Sequence, residues 1–224
     1  MVEREKPYVP VIRNWVFWPC CYLMRLASWL YFRVSVRGKR NYPQRPFVAV
    51  VNHASFLDMP VMAWGLDRGS HFLGKAELFK IPVFSWFLRC WGGIPLRRDA
   101  GDVSAMDLAL AKLRDGEAVY ITPEGTRKHA ADGSARPRTG FVRLAQLAGC
   151  PVVPIAVGGV RRAMPPGAII PRPVKIRISI GEPIHLAPIE VSHDNHDALQ
   201  EQACAVMDRI YEMKRELESG AVSE

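Results

Sequence analysis

Several familiar chemistries have no footing in this chain. Its five cysteines, Cys20, Cys21, Cys90, Cys150 and Cys204, form no CxxC pair and have no metal-ligand spacing. They read as reduced thiols in a cytosolic setting, and Cys20-Cys21 reads as small apolar filler rather than a lipid attachment point. The histidines lack HExxH spacing, which removes the usual zinc site. Without a GxSxG elbow a serine hydrolase is unsupported, and without GxxxxGK[ST] there is no phosphate-binding P-loop. No internal repeat is visible. No stretch combines one apolar core with a small-residue cleavage site, so no signal peptide is read.

What is present suits one domain, or a domain with an appendage: 224 residues, 49% of them hydrophobic. Such a chain buries a full core without disulfides or a structural metal. The net charge of +8 is unevenly placed. Residues 1–46 carry nine Lys and Arg against two Glu, while the other 178 residues are almost balanced. A basic end on a near-neutral body points to an anionic surface, either nucleic acid or a phospholipid headgroup layer.

Within that basic end, Arg13 to Arg33 is rich in Trp, Tyr and Phe and is interrupted by Pro19 and Arg25. A spanning helix needs about 20 largely uninterrupted apolar residues, and the runs here are shorter. Two short helices bent near Pro19 and lying in the membrane interface fit, because aromatic rings and Arg both favour the headgroup level. The plainer alternative is a hydrophobic helix packed on the domain. The aromatic and Arg content favours the membrane surface over both that alternative and nucleic acid. Residues 1–31 are thus set apart as an N-terminal basic, aromatic, helical membrane-interface segment, followed by an α/β domain over 32–224.

Through that domain, strand and helix patterns alternate. Phe32–Arg37 alternates as a first strand, and Phe47–Val51 is a continuous apolar run that reads as a buried strand. Short strands are expected at Ser70–Gly74, Ile94–Arg98, Ala118–Thr122 and Pro151–Val157. Val174–Ile180 is expected as a strand with one solvated face. Helical spacing runs from Asp102 to Arg114 and from Gly140 to Leu147, with Gly149 as a stop. An amphipathic helix is expected over about 194–217, its stripe formed by Leu199, Ala203, Val206, Ile210, Met213 and Leu217. The alternation predicts a single α/β domain built on a mostly parallel mixed sheet flanked by helices.

The most informative stretch is Asn52 to Asp58, Asn-His-Ala-Ser-Phe-Leu-Asp, where the buried strand hands over to a helix. Ligands commonly bind at such a handover in open α/β sheets. Residues five apart on an ideal helix lie ~140° apart around its axis, so His53 and Asp58 cannot face each other within one. They can meet if His53 is on the loop and Asp58 in the first turn. The carboxylate then accepts a proton from one ring nitrogen and leaves the other as a base. The competing reading makes Ser55 an N-cap, Asp58 its capping-box partner and His53 a polar loop residue. Spacing alone leaves both open.

Two further polar clusters fall after strands: Arg97-Arg98 and Glu124-Gly125-Thr126-Arg127. A base, cationic groups and a Gly-containing turn together suit activation of a hydroxyl beside a phosphate. At this point the chain resembles the glycerolipid acyltransferases, and most nearly the 1-acylglycerol-3-phosphate acyltransferases. Asn52-His53-x-Ser55-x-x-Asp58 looks like their first motif, Gly92 to Arg98 their second, Pro123-Glu124-Gly125-Thr126-Arg127 their third and Val152-Val153-Pro154-Ile155 their fourth. Lys75 to Pro82 matches a further pattern of that family. The motifs occur in the family's order, and the resemblance covers about residues 32–184. Thr122 departs from the more usual Phe, Arg97 from an acid or polar residue, and Arg138-Thr139-Gly140 from Lys-x-Gly.

The resemblance implies acyl transfer from acyl-CoA or acyl carrier protein to the hydroxyl of a lysophospholipid. The expected acceptor is 1-acylglycerol-3-phosphate and the product phosphatidic acid. His53 would be the general base, Asp58 its orienting partner and Lys75 the oxyanion stabiliser. Asn52, Arg97, Arg98, Glu124, Gly125, Thr126 and Arg127 would bind substrate, with Arg98 on the phosphate. No metal and no cofactor beyond the co-substrate are expected. The expected setting is an anionic phospholipid surface at the cytoplasmic face of a membrane, reached peripherally or as a monotopic protein, with no nucleic acid. An apolar groove is also expected, since each CH2 kept from water is worth ~0.8 kcal/mol. Residues 79–91 read as core rather than as its walls. The same chemistry on another acceptor (another lysophospholipid, glycerol-3-phosphate, a lyso-amino-acid lipid or a sugar) and a catalytically dead lipid-binding protein are the rival readings.

Overall fold

The computed structural model describes residues 14–52, 64, 70–97, 103–124, 136–165, 168, 170–192 and 194–219. Seven strands form one sheet in the order β1-β7-β6-β2-β5-β3-β4. In chain order they are β1 (Ser35–Arg37), β2 (Phe47–Val51), β3 (Ser70–Lys75), β4 (Gly93–Leu96), β5 (Ala118–Ile121), β6 (Val152–Gly158) and β7 (Arg177–Ile180). Every neighbouring pair is parallel except β6 and β7. Among the described residues, the α-helices with defined ends are α1 (Asn14–Phe32), α2 (Pro82–Cys90), α3 (Val103–Arg114), α4 (Gly140–Ala148), α5 (Val160–Ala163) and α6 (His196–Ser219). The expected α/β architecture with a mostly parallel mixed sheet is what the chain adopts.

The two faces of the sheet are told apart by residue parity. Along β2, Phe47, Ala49 and Val51 join a core with Phe17 and Cys21 of α1 and Leu88 of α2. Val48 and Val50 join a second core with Ala109 of α3, Phe141 and Leu144 of α4, and Leu199 and Ile210 of α6. A strand covered on both sides has no solvated positions to mark an alternation, which is why Phe47–Val51 is apolar throughout. At about 1.5–3 kcal/mol for each large apolar side chain removed from water, these two layers supply most of the driving force for the fold.

Several boundaries differ from expectation, for local reasons. Instead of two short helices bent at Pro19, α1 is a single helix that passes through it. Proline there removes one amide donor, which orphans a carbonyl at Trp15, and Trp15 is exposed. The helix extends to Phe32 and consumes residues expected in β1. Arg33, at φ 48°, makes the left-handed turn that releases the chain into the strand. The tail of the alternating Val174–Ile180 run is the strand, and Ile178, Ser179 and Ile180 are all buried in it. Between β6 and β7, Val160–Ala163 forms the one-turn helix α5. Gly149 ends α4 as expected, at φ 60°.

The helical run expected from Asp102 to Arg114 forms α3, and its apolar residues serve two surroundings. Ala105, Ala109 and Leu113 face the core, whereas Val103 is exposed and lines a cleft with Met106 and Leu110. On α6 every expected stripe residue is buried, with Met207 added.

Candidate functional site

Because β2, β3, β4, β5 and β6 all run in parallel, their C-terminal ends emerge on one edge of the sheet. That edge receives Asn52 after β2, Lys75 at the end of β3, Arg97 after β4 and Glu124 after β5. Asn52, Arg97 and Glu124, one from each sequence cluster and about 70 residues apart at their extremes, are thus brought to one side of the domain by topology alone. His53, Asp58, Arg98, Gly125, Thr126 and Arg127 lie outside the described residues. Their chain neighbours Asn52, Arg97 and Glu124 fix where each segment leaves the sheet.

Asn52 is 2% exposed. Its Nδ2 donates to the carbonyl of Val157 at 3.1 Å, and its Oδ1 accepts from the amide of Val157 at 2.7 Å. The side chain thereby takes the place of a strand residue and ties the departing end of β2 to β6. Expected to contact substrate, Asn52 instead has its amide engaged by main chain, directly before His53.

Motif glycines shape the approach to Arg97. Gly92, at φ 77°, makes the turn out of α2. Gly93 lies so close to its neighbours that a Cβ there would stand 2.9 Å from the Leu88 carbonyl and from the ring tips of Phe72 and Phe79. Together they start β4 in a register that pairs Leu96 with Lys75 and delivers Arg97 to the edge. Arg97 is exposed. Lys75 is about half exposed, with its Nζ 3.7 Å from a Glu77 carboxylate oxygen. The backbone N–H of Glu77 itself, then the charges of Lys75 and Lys80, hold that carboxyl below its usual range.

Glu124 is buried to 8% exposure. Tyr211 of α6 donates its phenol proton to Glu124 Oε1 at 2.8 Å. Burial first, and then the neighbouring Glu124 charge, push the Tyr211 phenol well above its ordinary range, so it stays a donor. Nothing in the spacing of the sequence connects positions 124 and 211. The available signal was a tyrosine beside Ile210 on the margin of an otherwise aliphatic stripe.

Next to Pro123 lies a cleft of about 700 Å³ between α3 and α4, with His196 and Gln200 of α6 also on its wall. Leu96, Met106, Leu110, Ile121, Phe141 and Leu144 are among its apolar walls, and Arg97, Arg136, Arg138 and Arg143 contribute cationic groups against Asp107. An apolar floor with several guanidinium groups matches an amphiphile bearing an anionic head. Of the stretch 79–91 expected as core, Phe79, Leu88 and Trp91 are buried, whereas Ile81, Val83 and Trp86 are exposed; none of them lines this cleft. Among the described residues no group of three or more His, Cys, Asp and Glu is placed to hold a metal.

The other sheet face carries a different surface. On α1, Trp15, Tyr22, Leu23, Leu26, Trp29 and Leu30 are exposed, and Ile81, Val83 and Trp86 are exposed around α2. Among the described residues no helix is long and apolar enough to cross a membrane.

A parallel sheet whose strand ends gather Asn52, Lys75, Arg97 and Glu124 is the layout in which α/β proteins bind their ligands, and the comparisons give the family. Residues 33–158 match the Acyltransferase family model, and the chain belongs to that family. It is 32% identical over 166 residues to the chloroplastic 1-acyl-sn-glycerol-3-phosphate acyltransferase BAT2 of Brassica napus, covering 71% of this chain and 47% of that protein. It is 27% identical to the 1-acyl-sn-glycerol-3-phosphate acyltransferase of Bacillus subtilis, covering 89% of this chain and 96% of the relative. The chain thus spans about half the length of the plant relative and nearly all of the bacterial one. Among solved structures it is similar to the 1-acyl-sn-glycerophosphate acyltransferase PlsC of Thermotoga maritima, with TM-score 0.73 and 29% identity. That match covers 92% of this chain and 80% of the other.

Proposed function

We propose that this chain transfers a fatty acyl group from acyl-CoA or acyl-acyl carrier protein to the free hydroxyl of 1-acylglycerol-3-phosphate, forming phosphatidic acid. The observation that carries the proposal is the likeness, over 92% of the chain, to a protein named as an acyltransferase for that acceptor. In this reading His53 removes the acceptor hydroxyl's proton as the oxygen attacks the thioester carbonyl, and Asp58 holds the imidazole in the required tautomer. The C–O bond forms, the C–S bond breaks, and the proton passes from His53 to the departing thiolate. Lys75, at the same edge, offsets the negative charge that develops on the carbonyl oxygen. Arg97 and Arg98 engage the phosphate, with Arg127, and Glu124 accepts a hydrogen bond from a glycerol hydroxyl. Gly125 lets the backbone approach the ligand, and Thr126 binds substrate beside it. Asn52 acts at one remove, by fixing the strand end that carries His53.

The apolar cleft between α3 and α4 suits an acyl chain. The exposed aromatic face of α1 suits the headgroup layer of an anionic membrane, with the basic residues around it complementing the lipid charge. The site then works at the cytoplasmic face, where thioester donors are made.

The decisive experiment is product identification by mass spectrometry, with a panel of acyl-CoA and acyl carrier protein donors. The acceptors are 1-acylglycerol-3-phosphate, other lysophospholipids, glycerol-3-phosphate and a lyso-amino-acid lipid. Phosphatidic acid should dominate, and His53→Ala should lower its formation by about 10²- to 10⁴-fold. Preference for a different acceptor would reassign the phosphate contacts. Full activity of His53→Ala would end the general-base role.

A further inference from the structure

We infer that Tyr211 is a positioning residue for acyl transfer: from α6 it orients the Glu124 carboxylate toward the acceptor. The inference rests on the substrate-contacting role proposed for Glu124 and adds to it a residue outside every motif. Three observations converge. Tyr211 donates to Glu124 Oε1 at 2.8 Å, across 87 positions of sequence. Glu124 is almost fully buried, so the direction of its carboxylate is set by protein donors rather than by water. The same helix also holds Pro137, beside the point where the described chain resumes after Glu124: Gln200 Nε2 donates to the Pro137 carbonyl at 3.0 Å. The amide of Arg138 in turn donates to the Pro123 carbonyl at 3.1 Å, tying the two ends of the intervening segment together.

Each contact suits the task. A phenol is a single donor on a rigid ring, and α6 is anchored by a continuous apolar stripe, so the donor's position is fixed. A hydrogen bond to one oxygen sets the carboxylate's rotamer. The phenol, raised in pKa by burial and by Glu124, does not surrender its proton near neutral pH. Tyr211 thus touches no reacting atom; it acts through Glu124.

The test is steady-state kinetics on the full chain with Tyr211→Phe, which keeps the ring and its packing and removes only the hydroxyl. The acceptor KM should rise by about tenfold, with the acyl-donor KM within about twofold of wild type and Tm close to wild type. In a Glu124→Ala background the same substitution should add nothing. Should that background fail to fold, Glu124→Gln replaces it, and the Tyr211→Phe effect should then be smaller than in wild type. A Tyr211→Phe variant with an unchanged acceptor KM, or with both KM values and Tm shifted together, would overturn the positioning role. So would an equal effect with and without Glu124. If Glu124→Ala and Glu124→Gln both leave the acceptor KM unchanged, the role of Glu124 itself fails, and the inference with it. Glu124 variants that impair acceptor binding beside a silent Tyr211→Phe reject the inference alone.

Discussion

Asn52 and Val157 bond each other in both directions, side chain to main chain, at the point where β2 leaves the sheet. Asn is suited to this because one planar amide offers a donor and an acceptor on adjacent corners, as a peptide group does. Asn52→Asp keeps the acceptor but sets a buried carboxylate against the Val157 carbonyl. Asn52→Leu leaves both main-chain groups unpaired. Each should cost about 2–4 kcal/mol, and Asp more than Leu at neutral pH. Urea denaturation checks the order. A Leu variant as stable as wild type would show that water replaces the amide.

His71, buried in β3, has its Nδ1 3.0 Å from the Gly92 carbonyl. Burial pushes the pKa of this imidazole down to about 4, from an ordinary value of 6.5. The unfolded chain therefore binds more protons at His71 wherever pH lies between those values. Stability then falls as pH drops from about 6.5 to about 4, with a slope of up to about 1.4 kcal/mol per pH unit from this residue. His71→Asn retains a donor for Gly92 but has no such titration. The stability difference between variant and wild type should be flat above pH 7 and shift in favour of the variant as pH falls through that window. A difference that stays constant with pH would show that His71 is not desolvated.

Gly93→Ala should destabilise by roughly 1–3 kcal/mol, because the added methyl meets the Leu88 carbonyl and two aromatic rings in a packed core. Gly116→Ala provides the contrast: its φ of 81° strains an alanine, but a Cβ there meets nothing within 4 Å. Its cost should be about 1–2 kcal/mol, from the left-handed conformation alone. Thermal melts of both variants separate crowding from backbone strain. Equal stability of Gly93→Ala and wild type would mean that Phe72 and Phe79 yield freely.

Leu26 and Trp29 are exposed on α1 and contribute little to the core. Leu26→Gln with Trp29→Gln should leave Tm close to wild type. Co-sedimentation with vesicles containing anionic phospholipid should weaken by tenfold or more, given about 1.5–3 kcal/mol for each large side chain withdrawn from an apolar phase. Unchanged vesicle binding would move the membrane contact off α1.

Most of the architecture was readable because it follows from periodicity. Phe47–Val51 reads as a doubly covered strand, and the α6 stripe reads as a buried seam. Boundaries shifted where competition was tertiary. Phe32 was offered to a strand by its alternation and to a helix by α1, and packing against the sheet decided for the helix. On α3, Val103, Met106 and Leu110 have the spacing of core residues, yet they line a cleft, because hydrophobic periodicity reports burial from water and not what does the burying. The site divided in the same manner. The residues carrying the family's motifs stand in contiguous strings, so they could be named; Tyr211 and Gln200 support one of those strings from far along the chain, where only the fold shows the connection.

The Tyr211–Glu124 hydrogen bond also imposes an order on the molecule's synthesis. Synthesis runs from the N-terminus, so α1 and the motif loops are made long before residue 211. The Glu124 carboxylate has no phenol to orient it until α6 is added and docks along β6. A nascent chain released or stalled before that point holds every motif of its family and still lacks the hydrogen bond that fixes the Glu124 carboxylate.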